Sequence, residues 1–376
     1  MAGKQITRRA LIASAALLPA CGRTRSPRYQ GWLFVASTNE SGVAVADLSE
    51  FRRVTTIALP KPPRQILRAG ERVFATCPDA HAIYEIDPAR FTIVAKIGLP
   101  GQVGPMVATP DGSALAAITL ERGIQLIDPA SRRSRQVLLP GSPDGLDVSS
   151  DTAAVSTRNG TIVRVSMKTG VIAGVTPLGI RCDLVRFRHD GKTILAGAAD
   201  QNQIITLDAG SGKLLTRLPL AFLPKRFCFS DDGGQMFVTG SSDDSIVIVS
   251  PYQNEVDQTI IAGQKPYGMQ VAVSQGRNLL FVTNAGSANL TIFDIDTRQL
   301  ASSVHIGGVP GEVLITPDGN YALVIDRDSG DVSVVKMSTA LSHEQLAMMA
   351  YGTRPLFTVF PTGQMPQSAA IIPKAT

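Results

Sequence analysis

The chain has few of the residues that most often carry catalysis, metal binding or disulfide bonds. Four cysteines and four histidines occur in 376 residues, without a CxxC pair, a CxxCH haem-attachment motif or the spacing of zinc ligands. The sequence also lacks a G-x-S-x-G nucleophile motif, and no Ser, His and Asp residues can be placed together from their positions. The sequence therefore gives no support to a zinc protein, a c-type cytochrome or a serine hydrolase.

The chain also lacks a large excess of charge once its N-terminus is set aside. The first twenty residues contain Lys4, Arg8 and Arg9 and no acid, and the remainder carries 33 basic and 31 acidic residues. A protein that binds nucleic acid through its charge normally has a strongly basic surface. The near-neutral balance therefore predicts that nucleic acid is not a partner.

The N-terminus has the pattern of an export signal. A basic stretch over residues 4–9 precedes an apolar run of eleven residues over 10–20. This run is too short to cross a membrane, because a spanning helix needs ~20 residues, but it fits the apolar part of a signal peptide. We therefore expect residues 1–20 to be a signal peptide and 21–29 to be a short tether.

Two motifs within this segment predict how the protein is exported and held. TRRALI at residues 7–12 resembles a twin-arginine export signal, and LPAC at residues 18–21 resembles a bacterial lipobox, in which Cys21 receives the lipid. These motifs predict an exported protein on the periplasmic or cell-envelope side. We expect it to contact the membrane only through the lipid on Cys21.

One unit repeats about every forty residues along the chain. Its marker is an apolar run that ends in a polar residue before a turn, and successive copies are 38 to 46 residues apart. The eight copies end at Asp47, Asp87, Asp128, Ser166, Asp208, Ser250, Asp296 and Lys336. A regular period of this length is typical of repeat architectures.

Each unit contains four short apolar runs, which we label A to D. They are rich in Val, Ile and Leu and are bounded by Gly, Pro, Asp and Asn, as β-strands are. An Asp-Gly turn joins A to B, as in residues 316–319 (TPDG). Four antiparallel strands in a repeated unit predict an all-β propeller with eight blades, or seven if one unit is degenerate.

The first unit lacks strand A, since the chain enters it at Trp32 with a strand of type B. Residues 367–373 have the composition of the missing strand. We therefore predict that the C-terminal strand joins the first blade and closes the ring, so that residues 30–376 form a single propeller domain.

The strand sequences carry a resemblance to a known family. LFVTN at residues 280–284, MFVTG at 236–240 and LFVAS at 33–37 resemble the YVTN-type β-propeller repeat, and the resemblance extends over residues 30–376. It implies a propeller of the kind that is commonly exported, but it implies no activity, because the motif residues form strands and turns. The broader superfamily includes lactonase-like propellers and the eight-bladed propeller that binds d-type haem in nitrite reductases.

In such a ring, the B–C loops and the D–A connections share one face, which we call the loop face. The A–B and C–D turns share the other, which we call the turn face. The D–A connections near the channel carry more basic than acidic groups, which favours an anionic ligand. The candidate ligand-binding residues are Arg64, Arg181, Lys225, Arg226, Lys265, Tyr267, Glu312 and, on a B–C loop, His81.

The sequence favours a non-catalytic, monomeric propeller at the cell envelope, which binds a small anionic ligand or an envelope protein. No cofactor is evident from the sequence. One alternative is a lactonase-like hydrolase with a cation held by acidic B–C loop residues, and the other is a propeller associated with a d-type haem or a quinone. The acidic candidates are Asp200, Asp243, Asp244, Asp326 and Asp328.

Overall fold

The computed structural model describes residues 28–120, 123–240, 243–342 and 355–374, and these form eight four-stranded antiparallel sheets in a ring. The predicted eight-bladed propeller is therefore confirmed, and the alternative with seven blades is wrong. The predicted signal peptide and Cys21 lie outside the described residues. Among the described residues, no helix combines the length and the hydropathy that crossing a membrane requires.

The strands follow the chain in the predicted order. Blade 1 contains β1 (Gly31–Ser37), β2 (Gly42–Asp47) and β3 (Arg52–Ala58). Blade 2 contains β4 (Gln65–Ala69), β5 (Arg72–Cys77), β6 (Ala82–Asp87) and β7 (Thr92–Gly98). Blade 3 contains β8 (Val103–Ala108), β9 (Leu115–Thr119), β10 (Gly123–Asp128) and β11 (Arg133–Leu138). Blade 4 contains β12 (Pro143–Val148), β13 (Thr152–Thr157), β14 (Thr161–Ser166) and β15 (Ile172–Pro177). Blade 5 contains β16 (Cys182–Phe187), β17 (Thr193–Ala198), β18 (Gln203–Asp208) and β19 (Leu214–Pro219). Blade 6 contains β20 (Pro224–Phe229), β21 (Met236–Gly240), β22 (Ser245–Ser250) and β23 (Glu255–Ile261). Blades 7 and 8 contain β24 (Pro266–Ser274), β25 (Arg277–Asn284), β26 (Asn289–Asp294), β27 (Gln299–His305); and β28 (Pro310–Ile315), β29 (Tyr321–Asp326), β30 (Asp331–Lys336), β31 (Leu356–Pro361), with a short helix α1 (Met337–Ala340) after β30. The last strand, β32 (Pro366–Pro373), returns to blade 1.

The four strands of a blade differ in their environment. The A strands contact one another from blade to blade in a closed circuit, so they form the inner ring around the channel. Strands B and C are buried on both faces between neighbouring blades, which is why β2 and β17 read as continuous small and apolar runs rather than alternating ones. The D strands lie at the rim and alternate between exposed and partly buried residues, as in β7 and β23.

The ring closes as predicted. Strand β32 pairs antiparallel with β1, with Ile372 opposite Trp32 and Ala369 opposite Val35. Beyond the strand, the Lys374 ammonium lies 2.9 Å from both carboxylate oxygens of Asp47 and 4.3 Å from the centre of the Trp32 ring. The two ends of the chain therefore share one sheet, and no edge is left exposed on the inner side of blade 1.

The Asp-Gly turns fold as the sequence predicts. In the turn after β8, the Thr109 hydroxyl and the Ser113 backbone N–H donate to the same Asp111 oxygen, at 2.7 and 3.0 Å. Gly112 follows with φ +70°, a conformation that glycine adopts without strain. The hydrogen bond from Thr109 and those from Ser113 lower the pKa of Asp111 to about 2.

Replacement of Asp111 by Ala is expected to lower the melting temperature by a few degrees at pH 7. A carboxyl group whose pKa is lower in the folded state stabilises the fold above its unfolded pKa, and loses that effect as the pH falls through the folded value. The difference from wild type should therefore shrink between pH 4 and about 2. Thermal melts at several pH values measure this, and Glu71→Ala is the control, because Glu71 is exposed without a hydrogen-bond partner among the described residues. A pH-independent difference would contradict the account.

The cysteines of the described residues are unpaired. Cys77 and Cys182 are buried, and Cys228 is partly buried. Burial raises the pKa of Cys77 and Cys182 to about 12 and that of Cys228 to about 11. These side chains therefore behave as small apolar groups, as their isolated positions in the sequence indicate.

Candidate functional site

The channel mouth on the loop face is built from the first residues of the A strands. Counted from the residue that begins each strand, Arg226, Gly268 and Glu312 occupy the same position in blades 6, 7 and 8. The position before it is filled by Lys225, Tyr267 and Gly311. Residues one repeat apart in the chain are therefore neighbours around the channel.

Two of the predicted residues meet a third at this mouth. The guanidinium carbon of Arg226 lies 4.0 Å from the centre of the Tyr267 ring, and that of Arg327, from the B–C loop of blade 8, lies 4.7 Å from it. Among the described residues, neither arginine side chain has a hydrogen-bond or ion-pair partner, and the Arg327 Nε is buried. We call Arg226, Tyr267 and Arg327 the Tyr267 cluster.

Glycines make room for the Tyr267 cluster. A Cβ on Gly311 would lie 2.6 Å from the Arg327 Cγ, so the missing side chain lets Arg327 reach inward across the start of β28. A Cβ on Gly268 would lie 2.4 Å from the Gly311 carbonyl oxygen. Next to the cluster, Arg226, Gly268 and Glu312 line part of a channel cavity of about 240 Å³.

Glu312 forms the inner wall of this cavity. Burial raises the pKa of its carboxyl group, while the backbone N–H of Ala369, at 3.2 Å, and the charge of Arg226 oppose that shift. The hydrogen bond to Ala369 caps the open edge of the next A strand, and Gln270 caps Ile315 N–H in the same way at 3.1 Å. Glu312 therefore joins blades 8 and 1, a structural role that the sequence does not reveal.

Other predicted residues are paired within the ring. Arg181 lies 2.5 Å from the Asp144 carboxylate, and Lys225 lies 3.5 Å from that of Asp183. Exposed pairs of this kind add little to stability, but they cancel the field of the two cations. Among the predicted cations, Arg181 and Lys225 are therefore neutralised by neighbouring acids, whereas Arg226 has no ion pair among the described residues.

The remaining predicted residues do not join the cluster. Arg64 and His81 belong to blade 2, which lies opposite blade 6 in the ring, and both are exposed. Lys265 is exposed at the start of blade 7, and its backbone N–H donates to Asp244 at 3.0 Å. The structure therefore brings together Arg226, Tyr267 and the neighbouring Glu312 from the predicted set.

The acidic B–C loop residues close their own loops. Asp326 accepts hydrogen bonds from the backbone N–H groups of Asp328 and Ser329 at 2.8 and 2.9 Å, and Asp243 accepts one from Ser245 at 3.0 Å. Among the described residues, no three His, Cys, Asp or Glu side chains are placed to hold one metal ion.

Arg327, Asp147 and Arg186 are not among the ligand-binding residues that the sequence predicts. Arg327 is expected on a B–C loop of the loop face, among acidic residues, and the sequence signal for its inward reach is the glycine at position 311. Asp147 and Arg186 lie at the same position of adjacent A strands, near the turn face. Other blades carry apolar residues such as Val107 and Leu314 at this strand position. The two charged residues therefore stand out when the repeats are aligned position by position.

Comparison with known proteins shows the fold. No protein family and no curated protein matches the sequence. The structure is similar to that of the dihydro-haem d1 dehydrogenase NirN in complex with DHE, with a TM-score of 0.73 and 13% identity, over 92% of this chain and 75% of that one. It is also similar to hydrazine synthase of Kuenenia stuttgartiensis, with a TM-score of 0.54 and 14% identity, over 83% and 96% of the two chains. At these identities the likeness establishes the propeller architecture alone, and the chain is an eight-bladed β-propeller.

Proposed function

We propose that this protein is an exported, lipid-anchored propeller that binds a small anionic ligand at the loop-face mouth of its channel, without catalysing a reaction. The observation that carries the proposal is the Tyr267 cluster. It presents two guanidinium groups beside one aromatic ring, both without hydrogen-bond partners among the described residues.

Unpartnered guanidinium groups at a half-buried site favour an anion. A buried polar group without a partner costs free energy, and most such groups in proteins are satisfied by a partner or a ligand. A carboxylate or phosphate accepts two parallel hydrogen bonds from one guanidinium, which makes it the matching ligand. Stacking on Tyr267 holds both arginines in place, which reduces the entropy lost when the ligand binds.

The wall of the cavity limits how the ligand can lie. Glu312 lines the cavity at the same level as Arg226, close enough for their charges to interact. A second negative group there would be repelled, so the anionic end of the ligand faces the mouth and Tyr267. The cavity of about 240 Å³ that Arg226 and Glu312 line, next to Tyr267, can admit part of a small molecule but not a folded partner.

The cellular part of the proposal is supported by the sequence. The twin-arginine-like motif, the lipobox-like motif and the resemblance to the YVTN-type repeat all point to export and to an anchor on Cys21. A lipid on Cys21 would be followed by a tether of about eight residues before the ring. A binding module in this position would meet ligands outside the cytoplasm.

Calorimetric titration of residues 22–376 tests the ligand class. Inorganic phosphate and succinate are the probes, and binding of one or both is expected at low ionic strength. Arg226→Gln and Arg327→Gln are each expected to weaken binding by about 10- to 100-fold, the range for lost hydrogen bonds to a charged group. The matched control is Arg64→Gln, an exposed arginine of the same face in blade 2, which should leave affinity unchanged.

Two results would contradict the proposal. If neither probe bound at millimolar concentration, the cluster would not be an anion site. If Arg64→Gln weakened binding as much as Arg226→Gln, the whole basic face would attract anions without a defined site. Melting temperatures of the variants show whether each one is folded.

A further inference from the structure

The channel has a second cavity at its opposite end. It lies near the turn face beneath blades 4 to 6, and its volume is about 500 Å³. Its walls include Asp147, Arg186, Arg188, His189 and Phe229. The cluster of the loop face is not part of it.

Asp147 is an incompletely compensated acid in this cavity. Its Oδ2 accepts a hydrogen bond of 2.6 Å from the backbone N–H of Phe187 in the next blade. Burial nevertheless raises its pKa, even though Arg186 and the backbone N–H groups of Phe187 and Val148 act in the opposite direction. Arg186 and the two backbone N–H groups therefore offset only part of the cost of burying this carboxyl group.

Arg186 occupies the same position on the neighbouring A strand. Among the described residues its side chain makes one hydrogen bond, to the carbonyl of Val185 at 2.9 Å. Both Arg186 and Asp147 line the same cavity, and their charges interact, but the salt bridges within 4.0 Å among the described residues do not include this pair. Most of its N–H groups are therefore available to a ligand.

The other charged groups of the cavity have defined partners or lie at its edge. Arg188 pairs with both oxygens of Asp190 at 3.1 and 2.7 Å, donates to the Pro251 carbonyl at 3.3 Å and lies 4.3 Å from the Tyr252 ring centre. The guanidinium group of Arg188 is therefore held by these partners and is not available to a ligand. His189 belongs to the exposed turn at the rim.

We propose that this cavity binds a small zwitterion, such as an amino acid, with its carboxylate on Arg186 and its ammonium group on Asp147. The two opposite charges line one cavity and interact without forming a direct ion pair. A simple anion would leave Asp147 uncompensated and meet its repulsion, and a simple amine would do the same with Arg186. Only a ligand with both charges completes both partners, and the volume suits a molecule of that size.

Ligand-observed NMR and calorimetry with residues 22–376 test this site. The probes are glycine, β-alanine, γ-aminobutyrate and ε-aminocaproate, compared with propionate and propylamine. At least one zwitterion is expected to bind at least tenfold more tightly than the acid or the amine. Asp147→Asn and Arg186→Gln should each remove at least tenfold of that affinity, whereas Arg64→Gln, at an exposed position of the loop face in blade 2, should leave it unchanged.

The variants are chosen to keep the fold. An asparagine at 147 can still accept the hydrogen bond from Phe187, so only the charge is lost. Because burial disfavours that charge, Asp147→Asn should melt at or above the wild-type temperature at pH 7. Arg186→Lys restores the charge and should recover part of the affinity.

Three results would overturn the proposal. Propionate could bind as tightly as every zwitterion, which would make the cavity an anion site. Affinity for a zwitterion could persist in a folded Asp147→Asn variant. The third such result is that none of the four zwitterions binds the folded wild-type protein. The titrations are therefore repeated with the Arg226→Gln and Arg327→Gln double variant, so that a carboxylate bound at the loop face does not contribute to any of these outcomes.

Discussion

Removal of residues 366–376 is expected to abolish the cooperative folding of the ring. The deletion takes away β32, which supplies strand A of blade 1 and carries buried Ala370 and Ile372. It also removes the contacts of Ser368 with the backbone of Ile66 and of Lys374 with Asp47, at 3.3 and 2.9 Å. Blade 1 would then have three strands and an open edge on β1, which favours aggregation.

The loss should be visible as an absent thermal transition and as aggregation in size-exclusion chromatography. Deletion of residues 375 and 376 alone is the control and should leave the melting temperature unchanged. A synthetic peptide of residues 364–374, added to freshly refolded truncated protein, should restore part of the transition by occupying the empty place beside β1. A truncated protein that melts within a few degrees of the full chain would contradict the closure of the ring by β32.

Replacement of Phe281 by Ala is expected to destabilise the protein by about 3–5 kcal/mol, the usual cost of such a change in a packed core. Phe281 belongs to the LFVTN segment of β25 and is 0% exposed. It packs with Leu279 and Ile292 of its own blade and with Val313 and Val324 of blade 8. The cavity left by the missing phenyl ring would therefore weaken the packing of both blades.

The effect of Phe281→Ala can be measured by urea unfolding followed by circular dichroism. Leu300→Ala is the control in the same blade, because Leu300 lies on the rim strand β27 and is 60% exposed. It should change the free energy of unfolding by less than about 1 kcal/mol. Similar losses in the two variants would show that the family-like motif has no special place in the core.

The sequence predicts the fold well because its signals are local and repeated. The Asp-Gly turn, such as the one at Asp318, recurs in four blades, and the apolar run before the C–D turn recurs in all eight. The missing first strand and the extra last one predict closure, since a ring leaves no other place for β32. A weak signal in one unit does not change the predicted fold, because the other units predict the same blade geometry.

The candidate site is less predictable, because it depends on contacts between blades. Arg226 and Tyr267 are one repeat apart, so their proximity follows from the ring itself. The pairing of Arg181 with Asp144 and of Lys225 with Asp183 also joins positions about one repeat apart, and it reduces the basic ring that composition suggests.

Arg327 shows where sequence reasoning stops. It reaches Tyr267 only because Gly311 carries no side chain, a condition that depends on distances of a few ångströms. The hydrogen bond of Glu312 to Ala369 likewise joins residues 57 positions apart across the ring closure. Predicting such contacts requires the strand register at each blade interface, which hydrophobic patterns in the sequence do not give.

A crystal structure of residues 22–376 grown with selenate, with anomalous differences recorded at the selenium edge, tests the central claim most directly. Selenate has the charge and shape of a tetrahedral oxyanion, so it reports where such a group binds. The account predicts a peak within hydrogen-bonding distance of the guanidinium groups of Arg226 and Arg327, beside Tyr267, and its loss in the Arg226→Gln and Arg327→Gln double variant. A map with peaks at Arg64 and Lys265 but none at the Tyr267 cluster would contradict it.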